Sequence, residues 1–328
     1  MVASQTGYNR AMAVTDPNTP ATSTTEGKRR HRFQFSLRTA LLLMLLAGLL
    51  SGGFVWWRDR AERQRKTVAE LRKLGADVDY KYFAFFEPGG GKVVGPHDEF
   101  FVVSQLRNRF GNDFVSDVRN VKYTPTAYVP PRPVPPPADG RRVVELIKQL
   151  PRLEDLRLHA DVSPQDLAEF PFLESIKFFS LLPSRGTWAD ADLTPFERCS
   201  KLEYFGLAQQ PIDGSGLVHL HNCKNLRMLI LWRTDFNDAA LVHLPAMTSL
   251  EYLNLGRTKV TDAGVATAEL PESLQRLELD ETAVGDAAMD NISHLQLPNL
   301  IEVGVQKTQV TKKGIERFHG RGAGSWMR

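Results

Sequence analysis

Between Leu202 and the C-terminus the chain repeats one pattern five times; the clearest copy is Leu250-x-x-Leu253-x-Leu255-x-x-Thr258-x-Val260-x-Asp262-x-Gly264-Val265. The same apolar triplet recurs every 24 residues at Leu202/Phe205/Leu207, Leu226/Leu229/Leu231 and Leu274/Leu277/Leu279, and after 26 at Leu300/Val303/Val305. A unit of this size cannot bury its own apolar face, so a fixed period of this kind specifies a solenoid in which each unit leans on the next. Solenoids present long surfaces, which favours binding over a single catalytic pocket.

The spacing inside one repeat sets its local structure. Alternation at Leu253 and Leu255 places these side chains on one side of a strand and Tyr252, Asn254 and Gly256 on the other. Thr234, Thr258, Thr282 and Thr308 follow the last apolar position by three residues, where a hydroxyl can bond the backbone as the chain leaves the sheet. An apolar residue comes next (Ile212, Phe236, Val260, Val284, Val310), and then a helix start such as Thr261-Asp262 or Ser163-Pro164. A short helix leads to the next strand. The expected class is α/β, with stacked parallel strands on one side and short helices on the other.

These motifs resemble the leucine-rich repeat family, and the Cys-x-x-Leu-x-x-Leu-x-Leu opening with the Thr-x-Val-Thr-Asp-x-Gly-Val ending is similar to its cysteine-containing, ribonuclease-inhibitor-like branch. The resemblance covers 118–318. It implies a curved sheet with a concave, ligand-facing side, and a recognition scaffold rather than an enzyme.

Weaker copies run toward the N-terminus. Val118/Val121/Tyr123 and Leu153/Leu156/Leu158 fit the triplet, and Leu173/Ile176/Phe178 fits it at spacings of 20 and then 29 residues, so Ser180–Asp192 should loop out. Residues 125–137 hold seven prolines and read as an extended insertion, either a spacer or a PxxP-type ligand. Cys199 and Cys223 stand one repeat apart. Stacked strands would bring them within disulfide range, but the equivalent positions in other repeats are apolar, which favours two small core residues.

A second segment constrains the N-terminal part. Residues 39–57 form a run of 19 without a charge, dominated by Leu41–Leu46 and closed by Trp56-Trp57, long enough as a helix to cross a bilayer. Basic residues crowd both flanks (Lys28, Arg29, Arg30, Arg32, Arg38; then Arg58, Arg60, Arg63, Arg65, Lys66), so charge asymmetry does not orient the span. A signal anchor with the repeats outside the cytoplasm is the favoured reading; a signal peptide cleaved near Ser51-Gly52-Gly53 is the competitor. The expected divisions are a disordered basic tail at 1–38, a transmembrane helix at 39–57, a charged juxtamembrane helix at 58–75, a cap at 76–117, repeats over 118–318 and a tail at 319–328. The cap layout is similar to that of bacterial membrane-anchored leucine-rich repeat proteins.

At 42% hydrophobic and 24% charged the chain is ordinary globular material, and its formal charge of +3 is explained by the clusters beside the span, so lipid headgroups rather than nucleic acid account for them. No phosphate loop, nucleophile elbow or Cys-x-x-Cys pair occurs. His97-Asp98-Glu99 sits in a loop after Gly95-Pro96, and His219, His221 and His243 fall on a solvated helix face, so no catalytic residue, metal site or cofactor is assigned. The candidate partner-binding residues are Phe179, Tyr204, Met228, Ile230, Trp232 and Tyr252, an apolar patch on the strand side that would take a protein or a surface polymer. The 125–137 or 180–192 insertion folding over this patch is one alternative. Others are a structural envelope component without a selective ligand, and an enzyme built on 76–123.

Overall fold

The computed structural model describes residues 37–80, 109, 113, 117–123, 140–182, 188–295 and 297–319. The chain divides into two units, Met1–Gly52 and Gly53–Arg328. The second unit is built of stacked repeats on one nine-stranded sheet whose strands follow chain order. These are β1 (Asp77–Asp79), β2 (Asn120–Tyr123), β3 (Asp155–Leu158), β4 (Phe178–Leu181), β5 (Tyr204–Leu207), β6 (Met228–Ile230), β7 (Tyr252–Asn254), β8 (Arg276–Glu278) and β9 (Glu302–Gly304). β1 pairs antiparallel with β2, and every later pair is parallel.

The repeat leucines do what their alternation requires. Leu229, Leu253 and Val303 are fully buried and Leu277 nearly so, with Leu231, Leu255 and Leu279 beside them. Truncating any of these leucines to Ala would cost about 2–5 kcal/mol. Where the strand ends, the hydroxyls of Thr234, Thr258, Thr282 and Thr308 donate to the carbonyls of Leu231, Leu255, Leu279 and Val305 at 2.5–2.8 Å. One residue before each threonine the chain turns through a left-handed residue that is never glycine: Arg233, Arg257, Glu281 and Lys307, with φ between 55° and 58°. Gln209 holds the same place one repeat earlier, at φ 59°. A side chain costs about 1 kcal/mol there, so the threonine bond and the strand ladder hold these turns against their own preference.

Successive helical segments are tied by aspartates. Asp238 accepts from Thr261 N at 2.8 Å and from its hydroxyl at 2.7 Å, and Asp286 does the same to Thr311 at 2.6 and 2.7 Å. The carboxylates lie where a Cβ would project from Gly264 and Gly314, which explains the glycine of the Thr-Asp-x-Gly motif. Asp262 varies the theme: it accepts from Gly285 N at 2.7 Å and Ala288 N at 2.9 Å, in a repeat with no threonine at 285. The helical segments Asp190–Arg198 and Asp238–Ala246 are 3₁₀, each with an internal proline that removes a backbone donor. At Ser163-Pro164 the expected start is a full capping box with Asp166.

The register of the fourth strand differs from the expected one. β4 places Phe178 beside Asp155 and Tyr204, and Phe179 beside Leu156 and Phe205. The triplet is therefore Ile176/Phe179/Leu181, three residues later than Leu173/Ile176/Phe178, and its spacings of 23 and 26 lie closer to the common period. Leu173 belongs instead to the 3₁₀ turn Leu173–Ser175. Trp188 turns inward from the irregular segment, fully buried, donating its ring N–H to Val162 O at 2.9 Å.

Helix α1 (Leu37–Lys73) runs through both the uncharged stretch and the charged one that follows. In the second unit Ala61, Gln64, Thr67, Val68 and Leu71 are buried along one helical face, so the segment expected as a charged stem is part of the N-terminal cap. Its partners include Gln149, 3.1 Å from the Thr67 hydroxyl, and Arg142, which pairs with Glu70. Gly75, at φ 91°, ends the helix as expected; Ala76 N donates to Leu71 O and Gly75 N to Arg72 O. β1 then covers the open edge of β2. Among the described residues no helix is long and apolar enough to cross a membrane, so the expected span at 39–57 has no support there; Gly48, Ser51, Gly52 and Gly53 thin its apolar surface. The large apolar side chains described from Leu41 to Trp57 are exposed. The proline-rich insertion and His97-Asp98-Glu99 lie outside the described residues, as does most of the expected cap at 76–117.

Candidate ligand-binding face

The side of the sheet opposite the leucines is formed by three rows of side chains. The first row, fixed by the strand register, is Asn120, Asp155, Phe178, Tyr204, Met228, Tyr252, Arg276 and Glu302. The second is Lys122, Arg157, Ser180, Gly206, Ile230, Asn254, Glu278 and Gly304, on the same pairings. The third continues past the strands through His159, Leu182, Ala208, Trp232, Gly256, Asp280 and Gln306; backbone bonds such as Arg233 N to Gly256 O and Arg257 N to Asp280 O keep it in step.

The first row forms a chain of contacts at its N-terminal end. Asn120 donates to Asp155, and Arg157 grips the same carboxylate with Nε at 3.0 Å and Nη2 at 3.1 Å. The Arg157 guanidinium lies 3.8 Å from the centre of the Phe178 ring, which stacks on Tyr204 at 3.7 Å and 11°. Burial pushes the Asp155 carboxyl above its usual range even against the Arg157 bonds, and burial also raises the Tyr204 phenol.

Tyr204, Ile230, Trp232 and Tyr252 all lie on this face and are half-buried. Met228 lies among them but is only 8% exposed, and Phe179 is not on this face at all: it is fully buried on the opposite side, packed edge-on to Phe196 and beside Phe205. The three-residue register shift accounts for that correction and puts Phe178 in its place. Lys177, just before β4, pairs with Glu154 at 3.0 Å. Two glycines make room for the aromatic rings. A Cβ on Gly206 would come within 3.0 Å of the Tyr204 ring, and one on Gly256 within 3.1 Å of Trp232 Cδ1. Small residues beside large ones in adjacent rows are the sequence signal for this fit. Asn254 donates to the Tyr252 hydroxyl at 3.2 Å and accepts from Gly256 N at 3.0 Å, which holds the Tyr252 side chain over the strand.

Among the other described residues, the cysteines and three of the histidines have defined surroundings. Cys199 and Cys223 are free thiols in the core, both pushed up to about 12 by burial, with Cys223 adding to the rise at Cys199. His219 Nδ1 lies 2.6 Å from Glu197, and its Nε2 is 3.4 Å from the Thr194 hydroxyl, a row reminiscent of nucleophile, base and acid. Thr194 also donates to Ala191 O at 2.8 Å, the shorter of its two contacts. The His221 and His243 rings lie 5.6 Å apart, tilted at 51°, and burial holds His221 below its usual range. Among the described residues no group of three His, Cys, Asp or Glu side chains is placed to hold a metal ion.

No protein-family model matches the chain, and no curated protein does. Solved structures with a similar chain course include an internalin, InlF, from Listeria monocytogenes, 18% identical over 56% of this chain and 48% of that one, with a TM-score of 0.40. This chain thus spans about half of that protein's length. Internalin C2 from the same organism is 15% identical over 69% of this chain and 91% of its own, TM-score 0.40, and a TDR receptor is 14% identical over 52% and 30%, TM-score 0.36. At these identities and scores the likeness carries nothing about ligand or location, and the repeat register above is what identifies the fold.

Proposed function

We propose that this chain is a membrane-tethered leucine-rich repeat recognition scaffold that binds a protein or surface polymer through the open face of its sheet, without catalysing a reaction. One observation carries the reading: Tyr204, Ile230, Trp232 and Tyr252 form a contiguous, half-buried apolar patch on adjacent strands. Aromatic side chains packed against glycine and rimmed by charge are the composition of binding hot spots. The patch lies on β5 to β7, the middle of the row, where a partner would gain the most contact.

Tethering rests on the front of α1. Leu42, Met44 and Leu49 are 66%, 71% and 72% exposed, and Trp56 and Trp57 follow with basic residues on both flanks. Apolar surface on this scale, uncovered by any of the described residues, is suited to lipid. On this reading the repeats lie outside the cytoplasm.

Combined Trp232→Ala and Tyr252→Ala substitution should remove specific partners from pull-downs out of membrane and surface extracts while the circular dichroism stays unchanged. An unaltered partner profile would count against recognition and leave a structural role. Flotation of the full chain with membranes, lost when 37–53 is deleted, tests the tether. Protease digestion on intact cells tests the side, since complete protection of the repeats contradicts an outward placement.

A further inference from the structure

We infer that the C-terminal end of the open face is a cation pocket, and that the face takes an extended polypeptide segment carrying a lysine or arginine about three residues from an apolar anchor. The inference rests on the recognition reading above and specifies its ligand.

It starts from an asymmetry in charge satisfaction. At the N-terminal end Asp155 is held by both arms of Arg157, and Glu154 is paired with Lys177 and Arg119. The margins of the sheet are closed in the same way. Arg227 makes a two-armed pair with Glu251 at 2.9 and 2.8 Å, and Glu281 takes Arg257 at 2.8 Å and Lys307 at 3.0 Å. Only the end formed by β8 and β9 breaks the pattern. Arg276 is the one cation of this end of the three rows, set against Glu278, Asp280 and Glu302, and its ion pair goes to Glu302 at 3.0 Å.

Asp280 uses one oxygen to accept from Gln306 N at 2.5 Å. Glu278 has no hydrogen bond or ion pair among the described residues, although it is half-buried. Its carboxylate rests against Gly304, and the Asp280 carboxylate reaches the same spot, within 3.2 Å of where a Gly304 Cβ would stand. Glycine at 304 is what lets two carboxylates converge there. Burial pushes the Glu278 carboxyl above its usual range, with the charges of Asp280 and Glu302 adding to the rise and that of Arg276 only partly opposing it, so a further cation is favoured there.

The neighbours indicate what kind of cation. These carboxylates do not form a metal-holding group. Trp232 and Ile230 belong to the β6 repeat and Glu278 to the β8 repeat, two strand steps away. At about 4.8 Å per step the separation is roughly 10 Å, which about three residues of extended chain span. A polypeptide can therefore set an apolar side chain on the Trp232 patch and an ammonium or guanidinium over Glu278 at once.

The test uses the purified full chain in detergent and a set of fluorescein-labelled 15-residue peptides. Each has a central leucine or phenylalanine in a Gly/Ser background, with Lys, Gln or Glu placed one to six positions to either side. Lysine three positions from the anchor, on one side, should bind about tenfold more tightly than glutamine there, and glutamate more weakly than either. Glu278→Gln, which keeps the side-chain shape, should bring the lysine and glutamine peptides within about twofold of each other while leaving the glutamine peptide unchanged. Trp232→Ala should weaken all peptides alike and keep the lysine preference. A lysine preference that survives Glu278→Gln, or no binding by any peptide, overturns the inference. Peptide binding that depends on Glu278 but ignores Trp232→Ala with Tyr252→Ala upholds the pocket and overturns the apolar recognition patch.

Discussion

The repeats before Cys199 and those after it close the same gap between units by different means. From Leu226 to Val310 the links are nearly interchangeable: a threonine hydroxyl at the strand end, a left-handed turn, and an aspartate that caps the next unit's first helical turn. From Val118 to Arg198 the links are more individual, although Asp190 already caps the next unit, accepting from Gly214 N at 3.0 Å and Gly216 N at 2.9 Å. Ser163 and Asp166 form a capping box, Lys148 reaches Asp166 and Glu169, and Trp188 plugs the turn between Val162 and Gln210. The difference teaches what periodicity is for. A shared link demands a shared strand-to-helix geometry; the 26-residue unit from Leu274 keeps it and takes up its extra residues in a longer helix, Asp286–His294, whereas the units before Cys199 fill their misfit with single side chains.

Removing the plug should give the largest effect. Trp188 is fully buried, and its backbone N–H and ring N–H are bonded to Gln210 Oε1 at 3.2 Å and Val162 O at 2.9 Å. Trp188→Ala should cost about 3–5 kcal/mol in urea denaturation, from the cavity and the orphaned carbonyl together. Because solenoid units are stabilised by their neighbours, hydrogen exchange should quicken first from β3 to β5. A loss below about 1 kcal/mol would mean that the irregular repeats are not held by single plugs, and the contrast with the regular ones would fall.

The regular links should fail differently, as coupled pairs. A methyl group at Gly264 would displace the Asp238 carboxylate from Thr261, so Gly264→Ala should cost about 2–3 kcal/mol. The chain holds its own remedy one repeat on, where Asp262 bonds Gly285 N and Ala288 N with no threonine hydroxyl present. Gly264→Ala combined with Thr261→Gly copies that arrangement and should recover about half of the loss, the remainder being the helix cap that Thr261 gives Ala263 N. Thermal denaturation of the two variants decides it. If the second change only adds to the damage, the aspartate link has a single geometry and not two.

How much of this was readable depends on which rule each residue obeys. The leucine triplets, the threonines, Ser163-Pro164 and the Gly75 stop follow spacing and backbone chemistry that act locally, and the sequence carries them. The fourth strand does not. Leu173/Ile176/Phe178 and Ile176/Phe179/Leu181 both satisfy the local pattern, and only the packing of Phe179 against Phe196 and Phe205 chooses between them. That ambiguity removed Phe179 from the candidate face and hid Phe178. Tyr204, Ile230, Trp232 and Tyr252 were legible because the spacing around them is regular. The left-handed turns at Gln209, Arg233, Arg257, Glu281 and Lys307 were not, since glycine, the usual sign of such a turn, is missing from all of them. Nor does a sequence show which charges find partners, so the open carboxylate at Glu278 emerges only once Arg276 is seen to face Glu302.

The smallest expected effect separates the two regions by pH. Burial alone would raise the Asp166 carboxyl, but bonds from Lys148, Ser163 and Arg141 outweigh it and hold it down to about 2, against an ordinary 3.8. A carboxyl whose acidity is lowered on folding adds stability that is fully present above its unfolded value and is lost as the pH falls through its folded one. The contribution of Asp166 should therefore stand undiminished at pH 6, decline between about pH 5 and 2, and be gone below that, an amount of about 1–2 kcal/mol after allowing for solvent at Arg141. Denaturation of the wild type and of Asp166→Asn at intervals from pH 6 to 2.5 reads it directly. The gap between the two curves should narrow as the pH drops, and brief pepsin digestion at pH 3 should nick the wild type between Gly140 and Phe170 before the repeats beyond Leu226. A gap that stays constant over the whole range would show that the packing around Ser163, and not the ionised carboxylate, ties α2 (Gly140–Ile147) to the next unit.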